Sequence, residues 1–135
     1  MSRLDAFIRR LTAQRACLGL AAEMLTGTSG PVLEIGLGNG RTYDHLFLGD
    51  IHGTLPGIMD RIGQPAVLAH ADIGSGDKTA DTATGAFLGR VLSPLMASGG
   101  IMICDQDMAL PESDVLALPE GINPGRYYMY RMNNG

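Results

Sequence analysis

Three short apolar runs constrain this chain most: Pro31-Val32-Leu33-Glu34-Ile35, Ala66-Val67-Leu68-Ala69-His70 and Ile101-Met102-Ile103-Cys104. Each reads as a buried strand, and each breaks into glycine or acid at its carboxyl end. The stretches between them carry helical spacing. Thr54 to Gly63 places Leu55, Ile58, Met59 and Ile62 on one face, and Lys78 to Met96 places Ala80, Ala83, Phe87, Val91 and Leu95 on another. Strands separated by helices need crossover connections. The expected fold is therefore α/β, a three-layer arrangement with a mostly parallel sheet and helices on both faces. Such sheets take ligands at the carboxyl ends of their strands. Here those ends carry Glu34 to Gly40, Leu48 to Ile51, His70 to Asp77, and Asp105 to Asp107.

The remaining elements follow from caps and breakers. Residues 2–25 read as an amphipathic helix with Leu4, Phe7, Ile8, Leu11, Leu18, Ala21, Ala22 and Leu25 as its apolar stripe. Ser2 is its N-cap with Asp5 three residues on, and Gly27 and Gly30-Pro31 stop it. Arg9, Arg10 and Arg15 fall largely off that stripe and read as a solvated face. A short helical piece is expected over 41–46. Thr54 is placed to cap the next helix, with Pro56 in its first turn. Gly85 and Gly89, four apart, permit close packing on the sheet, and Pro94 tightens the last turn. Gly99-Gly100 turns into the third run. Residues 105–125 read mostly as loop with a short strand at 115–118, and 126–132 as a last, antiparallel strand.

At 135 residues the chain reads as one domain, 1–135: an N-terminal helix over 1–30, a ligand-binding core over 31–106, and a loop and strand over 107–135. Hydrophobic residues are 45% and charged residues 18%, which supplies one core and argues against disorder. The net charge of −4 argues against nucleic acid as the main partner. No run approaches the ~20 apolar residues of a membrane span, and the N-terminus lacks a signal-peptide core. Cys17 and Cys104 have no CxxC spacing and read as reduced core thiols of a cytoplasmic protein.

The stretch Glu34-Ile35-Gly36-Leu37-Gly38-Asn39-Gly40 carries the chemistry. A phosphate-binding P-loop needs G-x-x-x-x-G-K-[ST], but position 35 is Ile and the lysine is replaced by Arg41. The nicotinamide fingerprint needs G-x-G-x-x-G, and here the third glycine comes one residue early. What remains is an acid two residues before G-x-G-x-G. This resembles motif I of the class I S-adenosylmethionine-dependent methyltransferases, whose Rossmann-like fold it implies.

Further segments continue the resemblance. Leu48-Gly49-Asp50-Ile51 looks like that family's third-strand ending, and Ala69-His70-Ala71-Asp72 like its fourth strand and terminal acid. Leu95 to Asp105, with Gly99-Gly100, fits its L-x-x-G-G turn into the fifth strand. The resemblance covers roughly residues 31–106. It implies S-adenosylmethionine as cofactor, held by Glu34, Gly36, Leu37, Gly38, Asn39, Gly40, Thr42, Asp50, Ile51 and Asp72. Glu34 would complement the methionyl ammonium.

One part of that pattern is short. Only nine residues separate Gly40 from Asp50, where a helix, a second strand, another helix and the third strand normally fit in that family. Either the second strand is deleted or a segment is missing between about Leu46 and Phe47.

For the chemistry, Asp72 and Asp105 are the catalytic candidates, ending adjacent strands with Gln106 following. Their placement is similar to the magnesium site of catechol-type and sugar O-methyltransferases, but Gln106 departs from that pattern. Acids facing cofactor or solvent are the preferred reading, and no metal is assigned. His45, His52 and His70 lack metal-ligand spacing; His70 reads as a hydrogen-bonded strand-end histidine. Tyr127, Tyr128 and Tyr130 read as packing residues.

The first functional expectation is a methyltransferase for a small-molecule acceptor, with O-methylation in view. The acceptor would meet the loops at 72–79 and 105–125, and a homodimer through the N-terminal helix would complete the pocket. The alternatives are a non-catalytic module that binds S-adenosylmethionine or S-adenosylhomocysteine, and a nicotinamide-binding domain.

Overall fold

The structure, a computed structural model, describes residues 2–36 and 51–133. Helix α1 spans Arg3–Met24. Its first turn closes as a capping box: the Ser2 hydroxyl accepts from the Asp5 amide at 3.0 Å, and the Asp5 carboxylate accepts from the Ser2 amide at 3.1 Å. Two donors that the helix start leaves open are thereby satisfied reciprocally. Then follow β1 (Val32–Ile35), α2 (Ile51–Thr54), a 3-10 turn at Leu55–Gly57, α3 (Met59–Ile62) and β2 (Ala66–Ala71). The chain continues with α4 (Lys78–Leu92), a 3-10 turn at Ser93–Leu95, β3 (Met96–Cys104), β4 (Ser113–Val115) and β5 (Tyr128–Met132).

The strands form one sheet in the order β1-β2-β3-β5-β4. β1, β2 and β3 are parallel, while β5 is antiparallel to both β3 and β4. Among the described residues β1 is an edge strand. The period of two splits the strand residues between two cores. Leu33, Ile35, Ala69, Ala71, Met102 and Cys104 face α4, while Ile101, Ile103 and Met129 face α1. The α/β class, the helices on both faces and the antiparallel last strand are as the sequence implies. No helix among the described residues is long and apolar enough to cross a membrane.

Several local expectations are corrected. Ala13, Cys17 and Ala21 form the buried stripe of α1, whereas Leu4, Phe7, Ile8 and Leu11 are 66%, 56%, 50% and 44% exposed. Small side chains let the helix lie close on the sheet, and their period carries Arg10 and Gln14 inward with them. Arg10 is therefore not part of a solvated face. The buried residues of α4 are Asp81, Gly85, Leu88, Gly89 and Leu92, so its inner face lies about one residue round from the expected stripe. The cause is the segment after β3. A Cβ at Gly85 would stand 2.5 Å from the Asp107 carbonyl oxygen, and one at Gly89 would stand 2.2 Å from that of Met108. The glycines face this backbone, not the sheet.

The helix expected over 54–63 divides into α2, a 3-10 turn and α3. Pro56 sits within the 3-10 turn, Thr54 makes no side-chain capping bond, and Gly63 ends α3 with φ 73°. Ile51 opens α2 and does not end a strand. β3 starts at Met96, ahead of the glycine pair. Its register jumps from Ala66↔Met96 to Leu68↔Ile101, which makes residues 97–100 a bulge. β4 lies at Ser113–Val115, before the expected 115–118.

Candidate functional site

Parallel register builds the centre of the site. Glu34 on β1 and His70 on β2 are direct Cα partners. Both alternate with residues of the α4 core, so both lie on the α1 side. There the His70 Nδ1 lies 2.6 Å from the Glu34 Oε1. Nε2 of the same ring lies 3.2 Å from the hydroxyl of Tyr127, just ahead of β5. His70 and Tyr127 are each 1% exposed, so these bonds are their replacement for water. Burial first, and then the Asp72 charge, push the Tyr127 hydroxyl far above its ordinary pKa, so it stays protonated.

Helix α1 closes this face from above. The Gln14 side-chain amide donates to Asp72 at 3.3 Å and to the Tyr127 hydroxyl at 3.4 Å, and it also lies 3.3 Å from His70 Nε2. One turn earlier, Arg10 Nε donates to the two Asp72 oxygens at 2.8 and 3.1 Å, and its Nη2 pairs with the same carboxylate. These bonds raise the Arg10 pKa above its usual value. Arg10 Nη2 also lies 3.9 Å from Asp105.

The loop after β2 is held by two further carboxylates. Asp105, at the end of β3, accepts from the Ile73 amide at 3.0 Å and the Gly74 amide at 2.8 Å. Asp81, in α4, accepts from the amides of Ser75 at 2.9 Å and Gly76 at 3.2 Å. It also accepts from the Ser75 hydroxyl at 2.7 Å. The Ser75 bonds hold Asp81 below the usual carboxylate range. Beyond this loop opens a cavity of about 510 Å³, lined by Arg10, Gly74, Asp105, Gln106, Asn123 and Arg126 among others. It lies where the loops at 72–79 and 105–125 meet.

Of the proposed cofactor residues, Glu34, Gly36 and Asp72 come together at the carboxyl ends of β1 and β2. Gly36 has φ 85°, and a Cβ there would stand 2.5 Å from the Asp72 carbonyl oxygen. Only a residue without a side chain fits this crossing. Ile51 lies apart, packed against the α4-side core. Leu37, Gly38, Asn39, Gly40, Thr42 and Asp50 lie outside the described residues, as do His45 and the Leu46–Phe47 junction.

The residues fit the methionyl end of S-adenosylmethionine. Glu34 offers a carboxylate of which Oε1 holds His70, and no other described residue bonds Oε2. A metal is a different matter. Asp72 and Asp105 are committed to Arg10 and to backbone amides. Among the described residues no group of three or more His, Cys, Asp or Glu is placed to hold an ion.

Arg10, Gln14 and Tyr127 are the residues that sequence reasoning missed as site components. Their signal was present: Arg10 and Gln14 are in helical phase with Ala13, Cys17 and Ala21. Tyr127 is in phase with Met129 along the last strand.

A family model described as S-adenosyl-L-methionine methyltransferase matches residues 1–47 and 46–132. Its two parts meet at Leu46-Phe47, where the spacing between motifs is short. Among curated proteins no relative matches. Among solved structures the chain is similar to an S-adenosyl-L-methionine methyl transferase from Silicibacter pomeroyi DSS-3. The two are 36% identical with a TM-score of 0.86, over 98% of this chain and 99% of that one. Such a match favours the methyltransferase reading over a nicotinamide-binding domain. The chain belongs to the S-adenosyl-L-methionine methyltransferase family.

Proposed function

We propose that this methyltransferase acts on a small-molecule acceptor seated in the cavity between the loops after β2 and β3 and the turn before β5. The observation that carries the reading is the position of that cavity. Arg10, which lines it, pairs with Asp72, and this pair would be the wall that acceptor and cofactor share. Its volume of about 510 Å³ suits a small ligand. When bound, S-adenosylmethionine supplies a methyl group on an electrophilic sulfonium. The chain's part is placement. Glu34 takes the ammonium, and Gly36 lets the backbone turn beside the methionyl chain. Asp72 and Asp105 fix the wall by holding Arg10 and the amides of Ile73 and Gly74. In-line transfer gains most from such positioning. Gly38, Asn39, Gly40, Thr42 and Asp50 complete the cofactor site in this reading.

Hydroxyl acceptors are the first class to assay, since O-methylation is the reaction that the sequence put in view. Transfer of labelled methyl from S-adenosylmethionine to a library of small alcohols, phenols and carboxylates tests the proposal. Labelled product from one class supports it, and labelling of protein or nucleic acid alone would defeat it. Residues 1–135 act as one methyltransferase domain in this reading, with 31–106 as its cofactor core.

A homodimer through α1 is the second part of the proposal. Leu4, Phe7, Ile8 and Leu11 form an exposed apolar stripe at helical spacing. An antiparallel copy would set Leu4 against Leu11 and Phe7 against Ile8, and would bring Asp5 near Arg9 of the other copy.

A further inference from the structure

We propose that His70 is a positioning residue for cofactor binding: its Nδ1–H, backed by the Tyr127 hydroxyl, fixes the Glu34 carboxylate to receive the cofactor's α-ammonium group. The inference rests on the reading of Glu34 as the ammonium acceptor.

Donor and acceptor roles fix the tautomer of a neutral ring. Glu34, as a carboxylate, only accepts, so Nδ1 at 2.6 Å carries the proton. The unprotonated Nε2 then accepts, and two donors reach it: the Tyr127 hydroxyl at 3.2 Å and the Gln14 side-chain amide at 3.3 Å. Tyr127 keeps its proton because its burial disfavours the phenolate. Gln14, donating to Tyr127 at 3.4 Å, turns the hydroxyl hydrogen towards the ring. The chain of bonds thus runs Gln14 to Tyr127 to His70 to Glu34, every step with the same polarity.

The ring has no freedom to do otherwise. His70 is 1% exposed, and its strand is paired on both sides. Glu34 is different: its side chain is 27% exposed. Unheld, it would sample several rotamers, and binding would have to order it. The His70 bond orders it beforehand, which is how pre-organisation raises affinity. A general base role for His70 does not fit, since both ring nitrogens are occupied and neither lines the cavity.

The test compares two ligands by calorimetry. S-adenosylhomocysteine carries the amino-acid group, and 5′-methylthioadenosine has the same adenosine thioether without it. Tyr127→Phe deletes one hydroxyl and keeps the ring; His70→Leu removes the relay; His70→Asn returns an N–H near Nδ1. We expect about 10-fold or more weaker S-adenosylhomocysteine binding in His70→Leu, the scale of a bond to a charged group. Tyr127→Phe should lose about three-fold or more, and His70→Asn should recover part of the loss. Binding of 5′-methylthioadenosine should stay within about two-fold in all three.

In a Glu34→Ala background the Tyr127→Phe effect should vanish, which also decides the matter if His70→Leu does not fold. Equal losses for both ligands, or an unchanged affinity in Tyr127→Phe, would overturn the proposal. If Glu34→Gln itself leaves S-adenosylhomocysteine affinity unchanged, the reading of Glu34 fails instead.

Discussion

At Gly36 the chain leaves β1 with φ 85° and passes so close to β2 that a Cβ would meet the Asp72 carbonyl oxygen at 2.5 Å. Gly36→Ala should therefore cost about 1–3 kcal/mol through strain and overpacking. Gly53 has open space where its Cβ would be, so Gly53→Ala should leave stability unchanged or slightly raised. Thermal denaturation of the two variants checks the contrast. Asp107 gives a pH prediction. Its carboxylate accepts from the Tyr130 hydroxyl at 2.7 Å and the Ala109 amide at 2.9 Å, which holds its pKa below the usual value. A depressed carboxylate contributes stability above its unfolded pKa of about 4 and loses it as pH falls through the folded value. Asp107→Asn should thus melt earlier than the wild type at pH 7, with the difference shrinking at pH 3. A difference that stays constant over that range would contradict this assignment.

At the scale of elements, the sequence showed the strands more clearly than the faces of the helices. A run such as Ile101 to Cys104 has one reading, because it is short, apolar and closed by an acid. A helix that mixes large and small apolar residues has two candidate faces. On α1 the large residues pointed to one face, and close packing on the sheet selected Ala13, Cys17 and Ala21 instead. On α4 the Gly85 and Gly89 pair was legible, but its partner was a loop backbone that no periodicity reveals. Glycine therefore carries opposite weights on the two helices. Gly19→Ala in α1 meets nothing within 4 Å and should stabilise by roughly 0.5–1 kcal/mol through helix propensity. Gly89→Ala gains the same propensity, but its Cβ would lie 2.2 Å from the Met108 carbonyl oxygen. The overpacking term of about 1–3 kcal/mol wins, and the variant should be destabilised in a denaturant titration.

For the whole molecule, the stretch proposed to hold the cofactor stands out in the sequence because it is local: an acid and glycines close together. The wall does not, because Arg10 and Gln14 on α1, Asp72 after β2 and Tyr127 before β5 come from three separate segments and meet only through the packing of α1 over the sheet. The exposed stripe of Leu4, Phe7, Ile8 and Leu11 predicts self-association, and gel filtration with light scattering should give a dimer that Phe7→Glu dissociates. A strict monomer across micromolar concentrations would leave the stripe without this role. In the proposed reading the acid and glycine turn at Glu34 to Gly36 holds S-adenosylmethionine. Calorimetry of the intact protein with S-adenosylmethionine and S-adenosylhomocysteine tests it most directly. One site per chain is expected, weakened by about 1.5–3 kcal/mol in Glu34→Gln. No heat with either ligand would contradict the account.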